Sequence, residues 1–549
     1  MRKHGILLAT VLMSLAPAGA WQRNDLLAGL PGPRPVTREQ ATSALLPDAS
    51  RASLCLTPAI QLAQVVQPNG HLPRTLELLA AGSPFGQERR LHRHDGLVVR
   101  YPAGLAVRAE ETIPVEVQAG LDGFDRAARL FAGRMQMTPP VGLEIVFHKL
   151  DERVDGYAIP AAAAPERSVI VLNVTATDGI DGIRRAAMHQ YAHLVTLRPS
   201  GRFPEDWGEA LATWAVIALE GSPRPAVVTA IDERLADRSR GWFDTPAGDP
   251  AGNAIWFDFI DRMYGLVTVR TVVDELALRA DPAAAFERAV RAATGSGLDE
   301  TLREFHLWSV LTAERATGHH FPYAARLAAP VAASSHEGLP ALSIHSDAPV
   351  PAGGSAQIRL YPEASRGGLE LRFEGELGTR WQADLLLFDR AGRIHRLPVE
   401  LADGDGGETV TVEGIVEVLV LVRNLGGDDA TPRTYTYTAH LDAGYPCEFT
   451  RRSVDRLDGD GGRLVTWDTA SERDLVGFDI LRTRVGSDRD VKVNPVRIPA
   501  LGEPDFPTSY SFVDRNALRG AAYEYKVQAV TRDGLKTTTD AFLRSPEDD

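Results

Sequence analysis

The spacing of apolar residues changes once along the chain, close to Pro330. Before this point, long segments repeat apolar residues every three to four positions, as amphipathic helices do, and a few short strand-like runs precede them. After it, the segments are short, alternate between apolar and polar residues and are separated by Gly and Asp, as in β-sandwiches. Strands followed by helices are typical of an α+β domain. We therefore predict a multidomain chain, with an α+β domain followed by two β-sandwich domains.

The length of 549 residues agrees with this division, since a domain usually takes roughly 100 to 200 residues. We predict an N-terminal extension or prosegment over 21–90, the α+β domain over 91–330, a linker of small residues over 332–335, one β-sandwich over 336–442 and a second over 446–549. Helices of the α+β domain are predicted over 114–135, 183–197, 205–219, 226–237, 254–264, 269–278, 282–293 and 298–316.

The last predicted domain carries aromatic residues at the positions where a fibronectin type III-like sandwich buries them. Trp467 lies on an early strand, and Tyr523 and Tyr525 alternate along a late one. These side chains can belong to a core or to a ligand platform, and we favour the core.

The first twenty residues have the three parts of a signal peptide. A charged start with Arg2 and Lys3 precedes an apolar stretch over 6–15 and the small residues Ala18-Gly19-Ala20. The stretch is shorter than the roughly 20 residues that span a bilayer, and no later apolar run is longer. We therefore expect cleavage before Trp21, no membrane span afterwards, and a secreted or periplasmic location in a bacterium.

Acidic residues outnumber basic ones by 73 to 59, which gives a net charge of −14. A nucleic-acid-binding protein needs a basic face, so this class is not expected. We expect a monomer whose substrate or ligand is a protein or peptide. The two cysteines, Cys55 and Cys447, lie almost four hundred residues apart, and we favour separate thiols over a disulfide between them.

The strongest chemical signal is the segment His189-Gln190-Tyr191-Ala192-His193. Residues four apart share one face of a helix, so both imidazoles can bind one metal ion. Chance produces such a pair in roughly one chain of this composition in three, and the alternative is a pair of solvated histidines.

Glu209 supplies the context that favours a metal site. A break containing Pro199 and Gly201 reverses the chain after His193, and Glu209 lies one turn into the next predicted helix. Zinc held by two His and one Glu keeps a fourth position for water, which is the arrangement of catalytic sites. The pattern predicts a Zn²⁺ site formed by His189, His193 and Glu209.

These residues resemble the gluzincin, or peptidase-MA-like, zinc metallopeptidases. Their pattern is H-E-x-x-H followed by W-x-E-x-x-A, and this chain has His189 to His193 and then Trp207-Gly208-Glu209-Ala210-Leu211-Ala212. The resemblance extends over roughly 92–325, and the fibronectin-like C-terminal part is similar to that of secreted bacterial metallopeptidases. It implies a gluzincin-like metallopeptidase domain over 91–330 and peptide-bond hydrolysis at a zinc ion.

The chain departs from this pattern at Gln190, where the family has the Glu that acts as general base. An amide can hydrogen-bond a water molecule but cannot accept its proton, and such a base contributes about 10² to 10⁴ in rate. Glu205 and Asp206 are weaker candidates for this role. The family also uses a later Tyr or His to stabilise the oxyanion, for which Tyr264 and His306 are candidates unless they are ordinary buried side chains.

Three hypotheses remain open at this point. The chain is an active secreted zinc peptidase, a pseudopeptidase that keeps the cleft but lacks activity, or a surface or matrix-binding protein whose β-sandwich domains carry the function. Gln190 favours the second hypothesis over the first, and the retained metal ligands argue against the third.

Overall fold

The structure is a computed structural model that describes two short segments, 54–55 and 88–92, and most of 96–544. Within 96–544, the structure does not describe residues 106, 108–111, 141, 151–153, 160–167, 176–177, 197–202, 245–247, 279–280, 363–366, 428–430, 458–461, 488, 505 and 519–520. The predicted signal peptide over 1–20 lies outside the described residues. The chain divides into two compact units: Met1–Asp237 with Phe243–Pro330, and Arg238–Trp242 with Val331–Asp549.

The first unit contains a six-stranded mixed sheet in the order β1-β5-β6-β4-β3-β2. Strands β3, β4 and β6 run parallel, β5 is antiparallel to β6, β2 is antiparallel to β3, and β1 pairs in parallel with β5. The strands are β1 (Leu54–Cys55), β2 (Glu88–His92), β3 (Val98–Pro102), β4 (Glu144–His148), β5 (Val154–Ile159) and β6 (Val169–Asn173).

Glu88–His92 forms one continuous strand of this sheet and spans the predicted boundary at residue 90. Leu54–Cys55 joins the opposite edge of the same sheet. Part of the predicted N-terminal extension therefore belongs to the α+β fold. Sequence could not show this, since both segments gain their strand conformation from partners in the sheet.

One helix lies between β3 and β4 in the chain and the other α-helices follow β6 up to Val310, so this unit has the α+β architecture that the sequence predicts. They are α1 (Val115–Ala128), α2 (Gly179–Thr196), α3 (Glu205–Glu220), α4 (Pro225–Ala236), α5 (Ala254–Tyr264), α6 (Leu266–Leu278), α7 (Pro282–Thr294) and α8 (Leu298–Val310). A π-helical turn over Arg129–Arg134 continues α1.

The core of the first unit lies between the sheet and these helices. Consecutive residues of β4 and β6, such as Ile145, Val146, Ile170 and Val171, are all buried, as expected of strands covered on both faces. Helix α1 crosses α2 at Gly123, where an added Cβ atom would lie 2.2 Å from the carbonyl oxygen of Arg184. Glycine at this position is therefore what allows the two helices to approach so closely.

An aromatic cluster holds the helices together. The indole of Trp207 on α3 packs against Phe257 of α5 and Phe286 of α7, with ring centroids 5.8 and 4.8 Å apart. Trp256 contacts Phe305 of α8 at 4.2 Å. Aromatic pairs of this kind add about 0.5–1.5 kcal/mol each beyond the burial of their surface.

The second unit is built of β-strands in two successive groups. The first group has the strand order β7-β9-β14-β11-β12-β13-β10-β15-β8. Strand β12 pairs with β11 through its first six residues and with β13 through its last three, so it passes from one layer to the other. Leu371 and Phe373 of β10 and Leu385 and Leu387 of β11 contribute to the core between the layers.

The strands of this first group span residues 334–442. They are β7 (Ser334–His336), β8 (Ala341–His345), β9 (Ser355–Leu360), β10 (Gly368–Gly375), β11 (Thr379–Asp389), β12 (Ile394–Ala402), β13 (Asp405–Thr411), β14 (Ile415–Gly427) and β15 (Tyr435–Asp442). Strand β7 takes up part of the predicted linker, since Ser334 and Ser335 pair with β9.

The second group forms two smaller sheets, β16-β17-β21 and β19-β18-β22-β23, with β20 and β24 paired to β18 and β22. Its strands are β16 (Cys447–Arg456), β17 (Arg463–Glu472), β18 (Leu475–Arg484), β19 (Val491–Lys492), β20 (Ile498–Pro499), β21 (Thr508–Asp514), β22 (Tyr523–Thr531), β23 (Lys536–Thr538) and β24 (Phe542–Arg544).

Trp467, Tyr523 and Tyr525 are buried in the core of this second group, as the sequence predicts. The two groups of strands are in contact. The hydroxyl groups of Thr411 and Thr537 lie 2.7 Å apart, and Leu535 joins the core of the first group. The second unit therefore consists of two β-sandwich-like parts that pack together. Cys447 is a buried free thiol.

Among the described helices, none combines the length and hydropathy that a bilayer crossing requires.

Candidate metal centre

The junction between the sheet and α2 is held by one buried side chain, Asn173, at the end of β6. Its Oδ1 atom accepts hydrogen bonds from the backbone N–H groups of Leu150 and Thr175, at 3.1 and 3.0 Å. Its Nδ2 atom donates to the carbonyl oxygen of Val154 at 2.7 Å. One amide thus ties together the residues after β4, the start of β5 and the turn that leads into α2.

Helix α2 carries both histidines on one face. The Nε2 atoms of His189 and His193 lie 3.1 Å apart, as expected for residues one helical turn apart. His193 is 2% exposed, and His189 is partly exposed. The histidines therefore form no solvated pair on an outer helix face, which was the alternative that the sequence left open.

Glu209 approaches the histidines from α3. Its Oε1 atom lies 3.2 Å from Nε2 of His189, and its Oε2 atom lies 3.2 Å from Nε2 of His193. Helix α3 begins after Pro204, which lacks the N–H group that a helix start leaves unsatisfied. The burial of Trp207 and Trp214 then turns the Glu209 face of this helix towards α2.

Electrostatics within this group favour the ionised carboxylate. Burial by itself would raise the pKa of Glu209, but the charges and hydrogen bonds of His189 and His193 outweigh it and hold the pKa well below its usual range. Without a proton or a cation between them, two imidazole nitrogens and a carboxylate oxygen direct lone pairs at one another and repel. A proton or a cation bound between them relieves this repulsion.

The three side chains lie close enough to bind one metal ion, since one ligand atom from each lies within 4.8 Å of the others. In a tetrahedral site with bonds of about 2.0–2.1 Å, neighbouring ligand atoms lie about 3.3 Å apart. The two Nε2 atoms lie 3.1 Å apart, and each lies 3.2 Å from a different oxygen of the Glu209 carboxylate. Two nitrogen donors and one carboxylate suit a transition metal ion, whereas Mg²⁺ and Ca²⁺ prefer oxygen ligands throughout. His189, His193 and Glu209 are thus a group that can hold a metal ion.

Gln190 is 1% exposed and lies on the sheet side of α2. A Cβ atom added to Gly156 of β5 would lie 3.6 Å from the Cγ atom of Gln190 and 2.5 Å from the carbonyl oxygen of Val171. The Gln190 side chain therefore packs against the backbone of β5. Its amide can position a water molecule by hydrogen bonding, but it is no proton acceptor at neutral pH.

The weaker candidates from the sequence differ in their surroundings. Burial, with Asp206 and Glu209 nearby, raises the pKa of Glu205 to about 7. The hydroxyl group of Tyr264 lies 3.0 Å from Oγ1 of Thr301, and His306 is buried beside the Phe305 ring. These contacts place Tyr264 and His306 among the packing residues of the helical layer.

Sequence reasoning gave no role to Gly156 or Asn173. A glycine inside a strand often marks a close backbone approach, and an asparagine at a strand end often bonds the backbone of the following turn. Both signals are present in the sequence, but neither says which distant segment is approached.

No protein-family model matches the chain, and no curated protein matches it either. Similar solved structures include a β-1,2-glucanase from Parabacteroides distasonis, at 11% identity and a TM-score of 0.14, covering 38% of this chain and 36% of the glucanase. The glycoside hydrolase domain of Endo-D from Streptococcus pneumoniae R6 is 14% identical, with a TM-score of 0.13 and coverage of 37% and 33%.

The adhesin domain of Epf from Streptococcus pyogenes is 12% identical, with a TM-score of 0.15, over 36% of this chain and 73% of that domain. The chain spans about a third of the length of the two hydrolases. TM-scores this low carry no argument about fold or activity.

Proposed function

We propose that this chain is an exported zinc-binding protein with a gluzincin-like metallopeptidase domain, in which Gln190 impairs or abolishes peptide-bond hydrolysis. The observation that carries the proposal is the grouping of His189, His193 and Glu209, in which the two Nε2 atoms lie 3.1 Å apart and each lies 3.2 Å from one of the two Glu209 carboxylate oxygens. The support is the donor set and its geometry, together with the sequence resemblance.

A zinc ion bound there would supply a Lewis acid and an activated water molecule. The roles of the protein groups follow from their positions. His189 and His193 present their Nε2 atoms from one helix, and Glu209 adds a negative charge from a second helix. Gln190 can orient a water molecule through its amide, but no proton moves to it. The proton transfer that a Glu would perform is therefore missing, and we expect the rate to be lower by about 10² to 10⁴ than with a Glu at this position.

Metal content is the direct test. We expect about one zinc per full-length chain, measured by elemental analysis after exchange into metal-free buffer, because the three ligands are complete. His193→Ala should lower the zinc content at least tenfold. His319→Ala is the matched control, since His319 lies exposed in a turn beyond α8, and it should keep the wild-type content.

Two results would count against the proposal. Wild-type protein without zinc would favour the alternative that the β-sandwich parts carry a binding function. Zinc that remains undiminished in His193→Ala would mean that another group binds it. The same measurement reports iron, cobalt and copper, so a different resident metal would also be detected.

A further inference from the structure

Strand β21 forms one edge of the sheet β16-β17-β21 in the second unit. Its seven residues, Thr508–Asp514, pair with β17 without any shift of register. Among the described residues, no strand lies on the other side of β21. The backbone N–H and C=O groups along that side can therefore pair with a further strand.

The other edges of this group of strands have features that prevent such pairing. Strand β16, at the opposite edge of the same sheet, has two register shifts next to Phe449. It also carries five charged side chains: Glu448, Arg451, Arg452, Asp455 and Arg456. The outer strands of the second sheet, β19, β20, β23 and β24, have only two or three residues each. Bulges, charges and short strands all disfavour pairing between sheet edges.

Strand β21 has none of these features. Its one charged residue is Asp514, which is buried and accepts hydrogen bonds from Nη1 of Arg482 and the hydroxyl group of Tyr525, at 2.7 and 2.8 Å. Tyr510 and Phe512 face the core. The outer face of the strand carries three exposed, uncharged side chains: Ser509, Ser511 and Val513. The edge of β21 is therefore long, regular and without exposed charge.

The sequence of β21 is complementary to itself. In an antiparallel pair with a second copy, centred on Ser511, this residue lies opposite its own counterpart. Tyr510 then lies opposite Phe512, and Thr508 opposite Asp514. Like charges do not meet in this register, and the aromatic side chains form cross-strand pairs on the core side. A pair of this kind has a two-fold axis, as most homodimers do.

The loop that leads into β21 exposes further apolar surface. Leu501 is 74% exposed and Phe506 is 63% exposed. The N–H group of Leu501 donates to the hydroxyl group of Tyr510 at 2.7 Å, which fixes the loop to the strand. In the register centred on Ser511, the chain that follows β21 in the second copy passes Phe506. Burial of this side chain then adds to the backbone pairing.

We propose that the free edge of β21 is a homodimer interface, at which two copies of this chain join their β16-β17-β21 sheets into one continuous sheet. The outer edges of the joined sheet are the two β16 strands, whose charges and bulges stop further addition, so the assembly closes as a dimer. The interface is small, and we expect a dissociation constant of roughly 1–100 μM. This dimer departs from the monomer expected from the sequence, and it does not depend on the metal centre.

Sedimentation velocity of the full-length chain, over a wide range of concentrations, tests the proposal. The wild type should change from monomer to dimer as its concentration rises. Ser511→Lys places two ammonium groups opposite each other on the two-fold axis and should raise the dissociation constant roughly tenfold or more. Thr450→Lys is the matched control, because it adds the same charge at an exposed position of β16. It should associate as the wild type does.

A mixing experiment tests the register and covers a variant that folds poorly. Ser511→Glu should also weaken the dimer when it is alone, because two carboxylates then face each other. An equimolar mixture of Ser511→Glu and Ser511→Lys should associate again, since opposite charges meet across the two-fold axis. A substitution that only damages the fold cannot be rescued by mixing.

Three results would overturn the proposal. A wild type that stays monomeric at every concentration means that the edge of β21 does not bind a second copy, including the case in which it binds a strand of a different protein. A dimer that persists unchanged in Ser511→Lys uses another surface. A mixture of the two charged variants that stays monomeric contradicts the pairing of Ser511 with its counterpart.

Discussion

Gly123→Ala tests whether the close crossing of α1 and α2 positions the histidine ligands. An added Cβ atom would lie 2.2 Å from the carbonyl oxygen of Arg184 and 3.0 Å from Cβ of Ala187. Ordinary contact needs at least 3.4 Å. The oxygen belongs to the α2 backbone and cannot rotate away, so the helices must separate by about 1 Å. Overpacking of this kind costs about 1–3 kcal/mol.

Gly133→Ala is the matched control, because Gly133 is also helical and an added Cβ atom there has no neighbour within 4 Å. Both substitutions gain roughly 0.5–1 kcal/mol from the higher helix propensity of alanine. The difference between the two variants therefore isolates the clash. For a unit of this size, 1 kcal/mol shifts the melting temperature by about 2–4 °C.

Differential scanning calorimetry of the full chain should show Gly123→Ala melting about 2–12 °C below Gly133→Ala in the transition of the first unit. Zinc affinity should fall in the same variant, because α2 carries His189 and His193. If Gly123→Ala melts as high as Gly133→Ala, the crossing tolerates a methyl group, and the argument that this glycine positions α2 is refuted.

Three further predictions concern single residues. Gln190→Glu should raise the rate of hydrolysis of unfolded casein by about 10² or more, because it supplies a proton acceptor, whereas Gln190→Ala should not raise it. Equal rates for the two variants would mean that the cleft lacks more than its general base. Burial and the Asp258 carboxylate raise the pKa of Asp261 to about 6, so the native state loses stability as pH rises from about 4 to 6. Asp261→Asn should therefore increase the free energy of unfolding at pH 8 but hardly at pH 4, and an equal change in urea titrations at both pH values would contradict this. Burial, and to a lesser extent the nearby Glu472, raises the pKa of the Cys447 thiol. In a Cys55→Ser variant, a thiol reagent should therefore label Cys447 only after the protein unfolds. Labelling of the folded chain would contradict the burial of Cys447.

The sequence predicted helix bounds well where the apolar spacing and a helix-ending residue such as Gly indicate the same end. Helix α5 has the predicted bounds, Ala254–Tyr264, because Gly265 ends it with a positive φ angle of 85°. Helix α8 ends six residues earlier than predicted, at Val310. Thr312 donates a hydrogen bond to the carbonyl oxygen of Ala328 at 2.7 Å, and Ala313 has a positive φ angle. A contact with a later segment thus overrides a sequence that favours helix.

In the candidate metal site, too, contacts between neighbouring segments were predictable and contacts between distant segments were not. His189 and His193 were predictable because their proximity follows from one helical turn, and Glu209 because it lies on the next predicted helix, a few residues after α2. The contact of Gln190 with Gly156 and the pairing of Cys55 with Gly156 depend on how strands align over long separations. Apolar periodicity identifies a strand but not its neighbour, so neither contact could be derived from the sequence.

The position of β1 also determines when the sheet can be completed during synthesis. Leu54 and its partner Val154 are about 100 residues apart, whereas Gly156 and its partner Leu172 on β6 are close in sequence. At about 5–20 residues per second, the ribosome needs some 5–20 s to make β5 after β1 has appeared. Each newly made chain therefore passes through a period in which Leu54–Cys55 has been made but the strand with which it pairs has not.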